Sequence, residues 1–446
     1  MSSTSTSEQN EGQHARRDRK LHIVIVGGSL GGLAAGLALK ALGHDTTILE
    51  RNPKPLLQDQ GAGIVAGGDT LDFFARYNRC DRPVAIPSHG RQYLDREGNI
   101  VHREEDEQST TSWDLAYYLM RANYDGLKSA YCDVPSPVAG HGKAVHMHDR
   151  NVTNIEEETS DNEAGGIRVF WRSSRDERGS LHADIVVGAD GPSSTIRNIV
   201  QPHTERKYAG YCALRGTLVE GAASEETRAI LRERLTFFHC PGAQVLTYLI
   251  PGANGAVESG KRYINFVYYA NFPAGSPELE EIMTDREGRR RAITMPPGMI
   301  SPSAWAKQRA VARARLPPQF AEVVCGAAKP FVQAITDVLS PEHEYWGGKV
   351  VLLGDALAGF RPHTVASTSQ AAFDAMIFAD YLAGRVSREE WKRETLGFAR
   401  WIHRRGVDMG EHSQFMDLPL EDHIHDRNVA SRPRQEEVYP EWATKF

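Results

Sequence analysis

The run from Leu21 to Val26 is apolar at all but one position, rich in Ile and Val, and it stops at a pair of glycines. Leu33 to Leu42 then has the composition of a helix closed by Gly43, and His44 to Glu50 reads as a second strand. Strand, helix and strand in this order predict a βαβ unit, whose parallel strands need a right-handed helical crossover and so belong to an open α/β sheet. The strand-then-glycine signal returns at Asp184 to Val187, followed by Gly188-Ala189-Asp190-Gly191, and at Lys349 to Leu353, followed by Gly354-Asp355-Ala356. Three such signals so far apart predict one sheet assembled from distant segments.

Between the second and third signals the period changes. Residues 205 to 275 are rich in Tyr, Phe, Thr and Val, and Gln244 to Ile250 and Tyr263 to Tyr269 alternate with period two, as antiparallel strands do. Asn151 to Gly166 is acidic and turn-rich and reads as a solvated hairpin tip. Ala310 to Ile335 reads as helical with a break at Pro317-Pro318, and beyond about Leu382 helical character continues through Arg405 and then loses clear periodicity. The expected fold class is α/β. A Rossmann-like domain formed by 21–84, 111–200 and 340–400 interleaves with a smaller α+β domain on an antiparallel sheet, formed by 85–110 and 201–339. A disordered polar leader is expected at 1–20 and a C-terminal extension at 401–446.

A chain of 446 residues suits two domains around a buried ligand, because single cores stop growing near about 250–300 residues. With 25% charged residues and a net charge of −6, it offers no basic surface to neutralise phosphates, which argues against a nucleic-acid partner. The five cysteines are scattered without a metal-ligand spacing, so no metal is expected and free thiols in a reducing, cytoplasmic setting are. No stretch approaches the roughly 20 apolar residues that span a bilayer.

Gly27-Gly28-Ser29-Leu30-Gly31-Gly32 follows the first strand and opens the first helix, which aims backbone N–H groups and the helix dipole at a pyrophosphate. The usual pattern is Gly-x-Gly-x-x-Gly; with Gly27 and Gly32 as the outer pair, Ser29 takes the middle place, where a positive φ would strain it. Glu50 ends the second strand, where a carboxylate accepts hydrogen bonds from an adenosine ribose. Arg51 beside it either lies on adenine or is a solvated charge. Gly27, Ser29, Leu30, Gly32, Glu50 and Arg51 are thus the expected contacts of this half. Asp190-Gly191 and Gly354-Asp355 each sit where a strand of an open α/β sheet ends, the place such sheets bind ligands. Taken singly, either aspartate is more readily a helix N-cap.

Together and in this order, the N-terminal glycine loop, the central Asp190-Gly191 segment and the C-terminal Gly354-Asp355 segment resemble the single-component FAD-dependent aromatic hydroxylases, over about Leu21 to Leu382. The resemblance implies bound FAD, with Asp190, Gly191 and Arg197 near FAD and NAD(P)H and Asp355 on the flavin ribityl chain. It also implies a nicotinamide that visits without a domain of its own, in keeping with the lack of a second glycine-rich loop. Ser112 to Arg121 is similar to the family's helix whose arginine touches the phosphate side of the flavin; Arg121 is otherwise a cation favourable to a helix C-terminus. Gln60-Gly61-Ala62-Gly63-Ile64 is similar to the family's loop near the flavin, or is a plain turn. In Arg361 to Thr368, followed by a helix carrying Asp374, the chain departs from the family. Leu357 stands where a histidine is usual, and Ala366 and Ser367 stand where glycines cover the isoalloxazine. With Tyr211 and the strand Asn265 to Tyr269, this variant looks most like the branch that hydroxylates 2,6-dihydroxypyridine.

What the resemblance implies is hydroxylation of a small activated aromatic ring, a phenol, hydroxybenzoate or hydroxypyridine, with NAD(P)H and O2. A base near the ring is then expected, and His363, His239, Tyr211 and Tyr248 are the candidates, with Arg361 beside them. Phe237, Phe238 and Tyr269 are candidates for the apolar wall. A lone His or Tyr in an apolar strand is more often a core residue, and the aromatic wall candidates alone could merely fill the inner face of the sheet. An FAD oxidase or reductase without oxygen insertion, or a non-catalytic FAD-binding protein, would share the glycine loop and Glu50; both stay open, as does a homodimer.

Overall fold

A computed structural model describes residues 19–54, 62–158 and 165–430. Most of the leader, Gln60-Gly61 of the second glycine loop, the centre of the acidic tip and the end of the chain lie outside the described residues.

The first layer is a six-stranded sheet in the order Glu344–Tyr345, Val350–Leu352, Ile185–Gly188, His22–Val26, Asp45–Leu49, Ala144–Met147. All neighbours are parallel except the edge pair of Glu344–Tyr345 with Val350–Leu352. Both faces of its central strands are buried, which is why these segments are apolar without alternation. Ile23, Ile25, Ile185 and Val187 pack toward the helices Leu30–Ala41, Trp113–Asp125 and Ser367–Leu382, whereas Val24, Val26, Val186 and Leu352 pack into a second core on the other face. Register decides the rest: Val26 stands opposite both Leu49 and Gly188, and Gly188 opposite Leu352. The three motifs therefore begin side by side on one rim.

The second layer is a nine-stranded sheet whose core strands are Phe331–Leu339, Lys207–Val219, Tyr263–Asn271, Ala243–Ile250 and Leu235–Cys240, extended by Arg91–Leu94. It is antiparallel except where Leu235–Cys240 meets Arg91–Leu94. One face buries Cys212, Leu214, Phe238 and Phe266 against the helices Pro302–Arg315 and Pro318–Gly326. The other carries Tyr211, Ala213, Phe237, Leu246 and Tyr269. Ala358–Gly359, just past Gly354-Asp355, pairs with the end of Phe331–Leu339 and so brings the third motif against this face.

Three expectations are corrected. Ala310 to Ile335 is two helices and the start of a strand, since the β-branched alternation of Phe331–Leu339 follows Pro330. Asn151–Glu157 is a paired strand of a three-stranded sheet with Val152 and Ile155 buried, and only its continuation is open to a tip. The helix Arg388–Phe415 runs well past Arg405. Its apolar period fades at Gly406 and Gly410 because the helix lies there directly on the loop at Arg361, not because it ends. The scattered cysteines also meet once: the Cys80 and Cys132 thiols share a hydrogen bond. Among the described residues no helix is long and apolar enough to cross a membrane, and no group of His, Cys, Asp or Glu could hold a metal ion.

A methyl group at Gly410 would come within 2.6 Å of Tyr211 Oη and 2.8 Å of Arg361 Cδ. Alanine gains about 1 kcal/mol of helix propensity, while overpacking costs about 1–3 kcal/mol. Gly410→Ala is therefore expected to lower the urea midpoint, and an unchanged or raised midpoint would show that the helix does not press on this pair.

Candidate active site

A single elongated cavity of about 1040 Å³ runs from the glycine loop to the antiparallel sheet. That volume is at the upper end of small-molecule sites, about 300–1,000 Å³. Gly27, Ser29, Leu30, Glu50, Arg51, Asp190, Gly191, Gly354, Asp355, Ser367 and His363 all line it. Gly32, Ala366, Arg121, Tyr211, His239 and Arg361 do not border it.

The glycine loop is built by close approach. Gly27 has φ +104°, and a Cβ there would sit 2.4 Å from the Ala189 carbonyl oxygen; at Gly32 it would sit 1.9 Å from the Gly27 carbonyl oxygen. Gly32 is thus a packing glycine, holding the helix start against the loop. Ser29 has φ −85°, so its place needs no glycine and the departure from the usual pattern strains nothing. Glu50 accepts from the Gly28 N–H at 2.7 Å and the Asn52 N–H at 2.8 Å, which fixes a buried carboxylate at the cavity edge. Arg121 is buried and occupied: it holds both oxygens of Asp125, Tyr117 Oη at 2.6 Å and His148 at 3.3 Å. Arg150, with its guanidinium 4.1 Å from the Trp171 ring, lines this end although nothing in the residue pattern singled it out.

The two aspartates differ. Asp190 accepts from Ser194 Oγ and from the Thr195 and Ile196 N–H groups, so it caps the short helix Thr195–Val200. Burial pushes its carboxyl up, and these bonds only partly offset that. Arg197 is a strut: it donates to the Ala356 carbonyl at 2.8 Å and the Pro192 carbonyl at 2.6 Å, tying the second motif to the third. Asp355 has no such duty. Its Oδ1 is buried without a partner, and burial raises its pKa to about 6 against the pull of Arg206 and Ser367. An orphaned carboxyl oxygen facing a cavity fits a ligand hydroxyl, so the residues present suit the ribityl chain of FAD. Arg206, also missed in the sequence, lines the cavity beside it and is held by Ser193 and Thr336.

The far end is a chamber walled by one face of the antiparallel sheet. Leu246 and Tyr248, Val267 and Tyr269, and Gln333 and Ile335 alternate into it from three strands. Arg405, Met409 and Ser413 close it from the helix Arg388–Phe415, at a spacing of four residues. Phe237 belongs to this wall; Phe238 faces the opposite core beside Phe320 and does not. Arg215, another residue the sequence did not single out, borders the chamber and donates to the Gly63 carbonyl.

His363 enters from the loop after Arg361. Its Nε2 lies 3.0 Å from Tyr211 Oη and its ring stacks on Tyr269 at 4.3 Å. Burial, then Arg361 and His423, lowers its pKa to about 3, so the imidazole is neutral. Burial drives Tyr211 well up and Tyr248 to about 12, so both phenols stay protonated. Arg361 lies behind them, paired with Asp337 and Glu411 and 5.8 Å from the Tyr211 ring. His239 shares the sheet face of Phe237 and Gln244, 3.3 Å from Gln244 Nε2, but lies beyond the part that borders the cavity.

Known proteins share this arrangement. The profile described as FAD binding domain-like matches residues 208–337, and that described as pyridine nucleotide-disulphide oxidoreductase matches residues 22–66. The 2,6-dihydroxypyridine 3-monooxygenase of Paenarthrobacter nicotinovorans is 27% identical over 84% of this chain and 87% of its own. The solved 2,6-dihydroxypyridine-3-hydroxylase from Arthrobacter nicotinovorans superposes with a TM-score of 0.75 at 25% identity, covering 89% of this chain and 93% of that one. Klebsiella pneumoniae HpxO, solved with FAD and uric acid, shares the fold at a TM-score of 0.66 and 18% identity, over 92% and 93% of the two chains. With three strand ends meeting on one rim and an antiparallel wall facing them, this likeness over most of the chain makes the protein a monooxygenase with FAD as its cofactor, similar to the single-component FAD-dependent aromatic hydroxylases.

Proposed function

We propose that this enzyme hydroxylates a small hydroxylated aromatic ring held against Tyr269, with His363 as the acceptor of the ring hydroxyl proton. The overall reaction is ArH + NAD(P)H + H⁺ + O2 → ArOH + NAD(P)⁺ + H2O. The observation that carries the assignment is the His363 imidazole, half-buried at the chamber, stacked on Tyr269 and backed by Tyr211 at 3.0 Å.

When bound, FAD supplies electron transfer and oxygen activation. The chain supplies position and proton handling. Gly27, Ser29, Leu30 and Glu50 are proposed to hold the dinucleotide end, Gly191 the middle and Asp355 the ribityl hydroxyls. Ser367 starts the helix Ser367–Leu382 at the cavity, and that N-terminus would stabilise negative charge on a bound flavin ring. Tyr248 and Tyr269 offer flat faces and exclude water.

A base with a pKa near 3 does not ionise a resting phenol. As a ring carbon is attacked by electrophilic oxygen, however, positive charge develops on the ring and its hydroxyl becomes strongly acidic, so a weak base suffices. In the tautomer with hydrogen on Nε2, that hydrogen goes to Tyr211 Oη and leaves Nδ1 available to the substrate hydroxyl. Arg361 does not touch the ring; it is a positioning residue that keeps Tyr211 and the His363 loop together.

Three outcomes test this. Asp355→Ala should weaken FAD binding about ten- to hundredfold, as the loss of a hydrogen bond to a charged acceptor does; flavin absorbance per polypeptide equal to wild type would contradict it. His363→Asn and Tyr211→Phe should keep flavin but lower turnover and release more peroxide per NAD(P)H consumed. His363→Asn should also change acid stability. The unfolded histidine takes a proton below pH 6.5 while the folded one resists until about pH 3, so wild type loses stability as pH falls through that window. The variant should lose less, and equal slopes in denaturant titrations would show that His363 is not buried neutral.

A further inference from the structure

The chamber holds one more buried polar side chain. Gln244 is 4% exposed and borders the cavity, and its Oε1 has no hydrogen-bond partner. Its Nε2 lies 3.3 Å from His239 Nε2, and the His239 ring is packed 4.0 Å from His423 of the helix Leu420–Ala430. With the amide N–H donating to His239, the carbonyl oxygen is the end left to the chamber. A buried acceptor without a donor costs about 1–3 kcal/mol, a penalty that a ligand carrying a donor would remove.

Its position says which ligand. Gln244 stands opposite Tyr269 across the ladder, and the Tyr269 ring stacks on His363. Neighbouring strands are about 4.8 Å apart, close to the width of a six-membered ring. A ring lying on Tyr269 thus meets an acceptor on each side, His363 for its hydroxyl and Gln244 for a second donor. A ring carboxylate placed there would face an amide oxygen, which disfavours benzoates in that orientation.

We propose that Gln244 determines specificity: its Oε1 accepts a hydrogen bond from a ring N–H, selecting hydroxylated N-heteroaromatics in their N–H (pyridone) form over carbocyclic phenols. This rests on the chamber being the aromatic site argued above. Sites built to bond a substrate N–H or O–H reject analogues lacking it, because a buried group is then left unpaired.

The test is a binding titration of FAD-loaded enzyme, read by perturbation of the flavin spectrum, with 2,6-dihydroxypyridine and its carbocyclic counterpart resorcinol. Wild type should bind the pyridine at least about tenfold more tightly. Gln244→Leu should lose that preference by weakening the pyridine alone, and Gln244→Glu, which keeps an acceptor, should retain it. Should the leucine variant fail to hold FAD, Gln244→Met replaces it. Equal weakening of both ligands, no weakening of either, or no preference in wild type overturns the role of Gln244. Turnover decides separately: absence of ring-stimulated NAD(P)H oxidation with every phenol and hydroxypyridine overturns the hydroxylase reading, whereas the binding ratio alone decides the amide.

Discussion

The site depends on one register. Val26, Leu49, Gly188 and Leu352 lie abreast in the parallel ladder, and the next residue of each motif is stitched to its neighbour. The Gly27 N–H donates to the Leu49 carbonyl, the Ala189 N–H to the Val26 carbonyl and the Leu353 N–H to the Gly188 carbonyl, at 2.9, 2.9 and 3.1 Å. Parallel strands end on the same side, so residues more than 300 positions apart reach one rim through backbone bonds, which the Arg197 strut reinforces. A slip of one residue would move Gly188 from beneath Leu352 and reverse the two buried faces of its strand. Both faces are core, and that is what forbids the slip.

Buried arginines and buried carboxyls divide the labour around that rim. Arg197 is committed to two backbone carbonyls, Arg121 to Asp125 and Tyr117, and Arg361 to Asp337 and Glu411. Guanidinium forks suit such work because several donors are fixed in one plane, so Arg197 and Arg361 tie segments distant in sequence while Arg121 braces its own helix. None has a free face toward the cavity. Asp355 and Gln244 are the opposite case, each with one buried oxygen, Oδ1 and Oε1, to which no protein group donates. Satisfied groups mark the frame and unsatisfied ones mark where a ligand completes it.

This division explains what could be read from residues alone. The βαβ unit, the three strand-then-glycine signals and the alternating strands near Tyr263 were legible because period and glycine placement are local properties. Asp355 alone reads as a helix N-cap, and only the order of the three motifs, through the family resemblance, marked it as a candidate. Arg361 and Arg121 were not separable from ligand-binding arginines, since a guanidinium's partners lie far off in sequence. Gln244 and Arg215 carried no signal, being polar positions on strands whose opposite face happened to be the one turned to the helices. The closing helix was hidden by Gly406 and Gly410, which break an apolar pattern at the very positions where contact is tightest.

The loop over the flavin site shows the same point at a position where the chain departs from its relatives. Ala366 and Ser367, expected to be glycines, sit at the start of the helix Ser367–Leu382, and Ala366 has φ −96°, which any residue adopts. The left-handed conformation falls one residue earlier, on Val365 at φ +52°, held by its N–H to the Pro362 carbonyl at 3.0 Å. A β-branched residue there is strained by about 1–3 kcal/mol. Pro362 fixes the turn that leads in, and Gly406 and Gly410 let the long helix press Arg361 from behind. The loop thus keeps its shape without glycine because both its ends are clamped, and the clamp, not the backbone's own preference, sets where His363 points.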